Sequence, residues 1–166
     1  MNYAYLETPI GTLLIAGDAI ALHCVTFPQH GRAAKPQPQW QESQRGPVGD
    51  AMRQLREYFA GKRAEFDLPL APVGTAFQRS VWRQLQQIPY GETISYGELA
   101  RRVGNPKASR AVGSANGANP LPIVIPCHRV IASDGTLGGF GGGLPTKQTL
   151  LALEQRSSVT NRAVAG

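Results

Sequence analysis

The residues with the clearest chemical potential are Pro126, Cys127, His128 and Arg129, which are consecutive in the chain. A cysteine attacks as its thiolate, and a nearby histidine or cation lowers the pKa of the thiol. Because proline cannot donate to a sheet ladder, we expect Pro126 to end a strand over 121–125 and to leave Cys127 in the turn that follows. On these four residues alone a buried, unreactive thiol is the commoner outcome.

Helix-start signals surround this motif in the second half of the chain. The segments 75–78 and 95–98 both fit the capping-box pattern and predict two helices. Asn105 is expected to cap a third helix with Pro106 at its first position, and that helix runs to about Asn116. The second and third helices, joined by a short turn containing glycine, are typical of a helix-turn-helix, although an ordinary helical hairpin is commoner.

The excess positive charge lies in the same half. The chain has 17 basic and 11 acidic side chains and a net charge of +6, yet residues 1–74 hold seven of each. Residues 75–166 hold ten basic and four acidic side chains. A basic half beside a neutral one favours a polyanionic partner, and nucleic acid is the best candidate because the basic residues lie among helix signals. A merely soluble basic surface is the alternative that charge leaves open.

The first half reads as a small domain of strands and a helix. Residues 10–16 and 20–27 predict two strands, and residues 48–60 predict a helix with one apolar face. Between them lies a loop rich in proline and glutamine. The segment 67–74 contains prolines and ends in glycine, so we expect a linker there. We therefore divide the chain into an N-terminal domain, 1–74, and a C-terminal domain, 75–166.

Composition excludes several classes of protein. There is no apolar run near the length of a membrane helix, and the N-terminus lacks a basic region and carries Glu7, unlike a secretory signal. Two cysteines cannot form a disulfide framework, so we expect a reduced, cytoplasmic protein. His23, Cys24 and His30 lack a fourth ligand at zinc spacing, and we expect no metal.

Further segments extend the cysteine motif in a fixed order. They are Ile94-Ser-Tyr-Gly, Arg110-Ala-Val-Gly, Asn119-Pro, Ile125-Pro-Cys-His-Arg-Val-Ile, and a glycine-rich loop at 138–143 that precedes Lys147 and Glu154. In this combination the chain closely resembles the 6-O-alkylguanine-DNA alkyltransferases. The resemblance is strong over 75–156 and loose over 1–74. Phe140 departs from it, because the family commonly has tyrosine there.

The resemblance implies an α/β fold of the α+β type. A small N-terminal domain of strands and helix would precede a mainly helical C-terminal domain with a helix-turn-helix. The implied activity is DNA repair by direct reversal: an alkyl group moves irreversibly from the 6-oxygen of guanine, or the 4-oxygen of thymine, to Cys127 in a single turnover. It also implies no cofactor, no membrane, a monomer, and double-stranded DNA with alkylated guanine as the partner.

The resemblance further assigns five catalytic roles. Cys127 is the alkyl acceptor, His128 takes its proton through a water, and Glu154 orients His128. This is the nucleophile, base and carboxylate arrangement of a triad. Asn119 orders the turn that carries the cysteine, and Tyr96 protonates the departing guanine, which is otherwise a poor leaving group. Three of these residues have an ordinary structural alternative: Glu154 as a solvated helix residue, Asn119 as a turn residue, and Tyr96 as a half-buried aromatic.

Binding roles follow from the same resemblance. Arg110 fills the place of a base extruded from the duplex, and small residues let the second helix of the motif approach the minor groove closely. The expected DNA-binding residues are Arg101, Lys107, Arg110, Ala111, Gly113, Ser114 and Ala115. The expected pocket residues are Val130, Phe140, Gly141 and Lys147. The backbone carbonyls of Cys127 and Val130 are expected to accept hydrogen bonds from the base.

Two other functions stay open on the sequence. A lesion-binding module marks alkylguanine without transfer, but such proteins lack the cysteine that this chain has at position 127. A sequence-specific helix-turn-helix regulator needs long side chains on its recognition helix to reach base edges. Residues 111–117 are nearly all small, which disfavours a regulator.

Overall fold

A computed structural model describes residues 1–138, 140 and 142–157 of this protein. The chain forms two compact units: one comprises Met1–Pro72 together with Arg156 and Ser157, and the other is Val73–Gln155. Our division of the sequence had assigned Arg156 and Ser157 to the second domain, and Val73 and Gly74 to the first. Within the described ranges, no helix combines the length and apolar character that crossing a membrane requires.

The first unit is a four-stranded sheet with one helix. The strands are β1 (Asn2–Thr8), β2 (Gly11–Gly17), β3 (Leu22–Thr26) and β4 (Gln41–Glu42), in the spatial order β3-β2-β1-β4. Neighbours pair antiparallel except β1 and β4, which are parallel. Helix α1 (Pro47–Phe59) follows. The two predicted strands and the helix are confirmed. Strand β1 was missed, although its buried Ala4 and Leu6 alternate with more exposed residues in the period-two pattern of a half-buried strand.

Both the sheet and helix α1 contribute apolar side chains to the core of this unit. Leu13 and Ile15 of β2 are fully buried, as are Leu55 and Tyr58 of α1. The strand contributes side chains from one face and the helix from one stripe, which is the arrangement that buries an amphipathic helix on a sheet. Apolar packing of the sheet against α1 accounts for the fold of this unit without any reactive side chain.

The second unit is mainly helical. Its elements are α2 (Ala76–Leu85), β5 (Ile94–Ser95), α3 (Tyr96–Arg102), α4 (Ser109–Gly117), a 3-10 turn (Cys127–Arg129), β6 (Val130–Ile131) and α5 (Leu144–Arg156). Strands β5 and β6 form a short parallel pair. The helices α2, α3 and α4 pack on one another, and α3 and α4 form the predicted helix-turn-helix.

Two local predictions about these helices need correction. Thr75 and Gln78 form the complete capping box at the start of α2, whereas at α3 Ser95 caps the Glu98 N–H but the Glu98 carboxylate pairs with Arg101 and Arg102. Helix α4 begins at Ser109 and not at Pro106. Residues 105–108 instead close a turn in which the N–H of residue 108 donates to the Asn105 carbonyl.

The predicted strand over 121–125 is wrong. These residues form a buried turn, closed by the Ile125 N–H donating to the Leu121 carbonyl at 2.8 Å. Within it Ile123 has a φ of 75°, an unusual value for a β-branched residue. The apolar run is long enough for a strand, but Pro122 and Pro126 remove two of the donors a ladder needs. A tight turn therefore delivers Cys127.

Candidate active site

Cys127 lies at the start of the 3-10 turn and is 5% exposed. Asn119 holds the preceding turn from both sides: its Nδ2 donates to the Ile125 carbonyl at 2.7 Å, and its Oδ1 accepts from the Leu121 N–H at 2.9 Å. The amide thereby fixes the backbone that leads into the cysteine. This geometry is compatible with the ordering role that the resemblance implied for Asn119.

His128 and Glu154 form a fully buried pair. The imidazole Nε2 lies 2.6 Å from Oε2 of Glu154, and the two side chains are 0% and 1% exposed. A carboxylate accepts only, so Nε2 carries the proton and Nδ1 holds the lone pair. Nδ1 is buried and has no hydrogen-bond partner among the described residues. The structure therefore presents an oriented base with a free acceptor next in sequence to the cysteine.

Arg129 is a site residue whose role the sequence did not reveal. Its Nε donates to Oε1 of Glu154 at 2.8 Å, its Nη2 to Oε2 at 3.0 Å, and its Nη1 to the Ile88 carbonyl at 2.7 Å. Together with Nε2 of His128, the Glu154 carboxylate thus has three side-chain donors, and the Gly91 N–H is a fourth at 3.2 Å. Glu154 is thus clamped by a bidentate arginine. The one available signal was a charged residue three positions after the end of the apolar run 121–126.

Lys147 is buried in α5, two turns before Glu154. Its Nζ donates to the carbonyl of Val130 at 2.6 Å and to that of Leu137. The same ammonium lies 5.9 Å from the ring centres of both Tyr96 and Phe140. The structure therefore brings together four residues that the sequence had named separately for the site and pocket.

The environment shifts the acid–base properties of these groups in distinct directions. Burial raises the pKa of Cys127 to about 11, although a hydrogen bond from Asn119 and the charge of Lys147 partly oppose the rise. Burial also lowers the pKa of His128, against the opposing pull of Glu154. For Glu154 burial acts upward, but hydrogen bonds and charges from His128 and Arg129 prevail and hold its pKa well below the usual range.

Tyr96, the first residue of α3, is half buried beside two glycines. A Cβ added at Gly138 would lie 3.3 Å from the tyrosine ring, and one added at Gly113 would lie 3.8 Å away. Burial raises the pKa of Tyr96, a negative Cys127 raises it further, and a hydrogen bond with Asn116 opposes both. The phenol therefore keeps its proton at neutral pH, as a general acid must.

Asn116, near the end of α4, is the second residue that the sequence analysis missed. It is 4% exposed, and its Nδ2 donates to the Cys127 carbonyl at 3.3 Å. Its Oδ1 is buried without a hydrogen-bond partner in the described part of the chain. An asparagine on a helix of small residues gives no sequence signal of burial, because asparagine is usually exposed.

The basic side chains expected to meet DNA lie on the surface of the helix-turn-helix. Lys107 and Arg110 are exposed, as are Ala111 and Ser114. Arg101 is exposed and pairs with Glu98. Ala115 is a correction: it is 2% exposed, and its carbonyl accepts from Trp82 Nε1 at 2.8 Å, so it faces the core and not a groove.

Parts of the glycine-rich loop lie outside the description. Gly141, an expected pocket residue, is not among the described residues, whereas Phe140 is and lies against Lys147. Residues 158–166 also lie outside the described part of the chain. Across the described residues, no group of three or more histidine, cysteine or acidic side chains could hold a metal ion. His23 instead contacts Asp18 at 2.8 Å.

Comparison with known proteins defines the class to which this fold and site belong. Residues 76–156 match the family described as 6-O-methylguanine DNA methyltransferase, DNA binding domain, and residues 1–72 match the ribonuclease-like domain of the same proteins. The chain therefore belongs to the 6-O-methylguanine DNA methyltransferase family.

Individual relatives agree with this assignment over nearly the whole chain. A methylated-DNA–protein-cysteine methyltransferase of Methanosarcina acetivorans is 51% identical over 154 residues, covering 93% of this chain and 98% of the relative. One from Haemophilus influenzae is 47% identical over 157 residues, covering 93% and 87%. The crystal structure of Mycobacterium tuberculosis OGT in complex with DNA has a TM-score of 0.85 at 44% identity, covering 93% of both chains.

Proposed function

We propose that this protein repairs DNA by direct reversal, moving an alkyl group from the 6-oxygen of guanine to the Sγ of its own Cys127. Its relatives carry the name of that reaction, and one close structural relative was solved with DNA. The observation in this chain that carries the proposal is the oriented His128, whose Nε2 is held by Glu154 while Nδ1 stays available.

A base is needed because the thiol is a poor nucleophile as it stands. With a pKa of about 11, only a very small fraction of Cys127 is thiolate at neutral pH. His128 takes the thiol proton on Nδ1, directly or through one water, and Glu154 stabilises the imidazolium that forms. Lys147 adds a positive charge that favours the thiolate.

The atoms balance without a cofactor. The Sγ–alkyl bond forms as the alkyl–oxygen bond breaks, and the departing guanine takes a proton from the Tyr96 hydroxyl. The proton that His128 received from Cys127 then returns Tyr96 to its neutral form. Because a thioether is a poor leaving group, the alkylated cysteine is the end state, and each chain reacts once.

Double-stranded DNA containing alkylated guanine is the proposed substrate, with the 4-oxygen of thymine as a further donor. A base in the duplex cannot reach a buried thiol, so it must be extruded first. In this proposal Arg110 fills the gap and Lys107 and Arg101 bind phosphates, and the exposure of all three side chains supports these roles. We further propose that the protein acts as a monomer, and in the cytoplasm, where two free cysteines stay reduced.

Intact-mass measurement tests the proposal. Protein is mixed with duplex DNA containing one 6-O-methylguanine, and the mass is followed to saturation. We expect the gain of one methyl group per chain, located on the peptide that contains Cys127. Cys127→Ala abolishes the gain, whereas Cys24→Ala, in the other unit, retains it.

Other outcomes contradict the proposal in distinguishable ways. Tight binding of the methylated duplex without a mass gain makes the protein a lesion-binding module. Transfer of a methyl group to the Cys127→Ala variant would mean that the Cys127 thiol is not the acceptor. Binding to one unmodified sequence over others favours a regulator.

A further inference from the structure

The proposed reaction needs an acid at the leaving group as well as a base at the thiol, and different segments of the chain supply them. His128 follows Cys127 directly, whereas Tyr96 begins α3. Residues 86–93, which connect α2 to β5 just before Tyr96, form turns. A proton donor that follows such a connection is placed accurately only if the connection is held. The contacts that hold residues 86–93 therefore bear on the reaction.

Gly91, within this connection, is held by two consecutive residues of α5. Its N–H donates to Oε1 of Glu154 at 3.2 Å, and its carbonyl accepts from Nε2 of Gln155 at 2.6 Å. Gly91 has a φ of 81°, in the left-handed region that favours glycine, so the backbone turns sharply at this point. Both backbone polar groups of this residue are thereby paired with side chains 63 and 64 positions further along the chain.

A second set of contacts fixes the same connection at its start. Nη1 of Arg129 donates to the Ile88 carbonyl at 2.7 Å, and its guanidinium carbon lies 5.6 Å from the centre of the Tyr90 ring. Arg129 belongs to the 3-10 turn that begins at Cys127. The connection is therefore tied at one point to the turn that carries the nucleophile and at another to the helix that carries Glu154.

The path from Gly91 to the proposed acid is short. Only four residues separate Gly91 from Tyr96. The last two of them form β5, which pairs with β6 directly after the 3-10 turn. Four residues give little slack between two held points, because each spans at most about 3.6 Å. Releasing Gly91 from α5 therefore loosens the start of α3, where Tyr96 lies.

We propose that Gln155 is a positioning residue for Tyr96 and acts through the carbonyl of Gly91. Glu154 contributes to the same grip while it orients His128, so two consecutive residues of α5 position the acid and the base of one reaction. Gln155 is exposed and uncharged, so its replacement leaves no buried charge without a partner. The inference rests on the proposed alkyl transfer and adds how its proton donor is placed.

Two reactions of Cys127 separate the acid from the base. Methyl transfer from a duplex containing 6-O-methylguanine requires a proton on the departing guanine, whereas alkylation by iodoacetamide releases iodide, which requires none. Both rate constants are measured by mass for the wild type, Gln155→Met and Gln155→Lys, the first in single turnover at saturating duplex. Methionine keeps the unbranched shape of glutamine without a hydrogen-bond donor, and lysine keeps a donor.

We expect Gln155→Met to slow methyl transfer by roughly three- to tenfold, the range that one hydrogen bond can supply, and to leave iodoacetamide alkylation unchanged. Gln155→Lys should transfer methyl faster than Gln155→Met. In a Tyr96→Phe background, Gln155→Met should cause no further loss, because the acid that Gln155 positions is already gone. Gln148→Met makes the same change on an exposed residue two turns earlier in α5 and should transfer methyl at the wild-type rate.

The remaining outcomes overturn the inference. Equal slowing of both reactions means that Gln155 acts on the nucleophile or its base. A full further loss in the Tyr96→Phe background means that the effect does not pass through Tyr96. Unchanged methyl transfer by Gln155→Met means that the pairing of β5 places the acid without α5. Each of these results defeats the inference alone, whereas the lack of any methyl transfer by the wild type defeats the proposed function as well.

Discussion

The two units of this protein bury different kinds of side chain. Within the described residues 1–72, Gln54 is the only buried polar side chain, and its amide is satisfied by the N–H and carbonyl of Asp67 at 2.8 and 2.9 Å. The second unit buries Asn116, His128, Arg129, Lys147 and Glu154. The first unit follows the ordinary rule that polar and charged side chains stay exposed, whereas the second unit breaks that rule at five residues.

The departures cluster around one thiol. Burying an ion costs several kcal/mol unless its partners are well placed, so such groups are retained for a reason other than stability. Here Arg129 and His128 compensate Glu154, and two carbonyls compensate Lys147. The second unit therefore gives up stability for a preorganised site, whereas the described residues of the first unit bury no charge.

The largest effect on the contrast between the two units is expected from Glu154→Gln. The change leaves Arg129 buried without its counter-charge, so we expect a loss of about 3–5 kcal/mol in the free energy of unfolding, measured by urea denaturation. Methyl transfer should slow by about 100-fold or more, because His128 loses the group that fixes its tautomer.

The matched control is Glu57→Gln in the first unit. Glu57 is 39% exposed and pairs with Arg63 at 2.9 Å and with Arg53 at 3.5 Å. An exposed pair contributes about 1 kcal/mol or less, so this variant should unfold nearly like the wild type. Equal losses for the two variants would remove the contrast between the units.

A smaller effect is expected from Lys147→Gln, which removes a charge but keeps an amide donor. Without the cation the pKa of Cys127 rises above about 11, and the thiolate share at any pH falls. Alkylation of the Cys127 peptide by iodoacetamide at pH 8 should slow by roughly tenfold, equivalent to one pKa unit. The difference should shrink toward pH 11, because burial lowers the pKa of Lys147 from its ordinary value of 10.5 and the ammonium then loses its charge. Lys62→Met, on an exposed residue of the first unit, should leave that rate as it is. Faster alkylation of the Lys147 variant would contradict the electrostatic role.

The smallest effect concerns Asp18, in the turn after β2. Its carboxylate accepts from the Ala21 and Ile20 N–H groups and from His23, and these hydrogen bonds lower its pKa to about 2. A lowered folded-state pKa stabilises the protein above the ordinary value of 3.8, and that contribution is lost as pH falls through about 2. Asp18→Asn should therefore lower Tm slightly at pH 5, with the gap closing by pH 2. A gap that persists at pH 2 would point to a packing role instead.

Sequence patterns succeeded where local chemistry controls structure. The box formed by Thr75 and Gln78 starts α2 as predicted, and the order of motifs around Cys127 identified the family that the comparisons confirm. Sequence patterns failed where the structure depends on several hydrogen-bond donors at once. The run over 121–125 has the composition of a strand, but its prolines and the grip of Asn119 make it a turn.

Helix faces show the same limit. Small residues in α4 were all interpreted as facing DNA, yet Ala115 is buried with its carbonyl accepting from Trp82, and Gly113 lies beside Tyr96. A small side chain permits close approach on any face, and only packing decides which neighbour uses it. Arg129 and Asn116 were missed for the related reason that burial of a polar residue has no local signature.

The sequence by itself determined several helix starts and the order of the motifs, because spacing and cap residues act over a few positions. The family resemblance that those motifs carry implied the two-part α+β fold, the nucleophile and the class of chemistry. Only the tertiary structure decided how the site is wired. The contacts of Glu154 with His128 and Arg129 join residues 26 and 25 positions apart, and the Gly91 contact spans 63. Such contacts depend on how the helices pack, and that packing alone leaves Nδ1 of His128 and Oδ1 of Asn116 unpaired within the described chain.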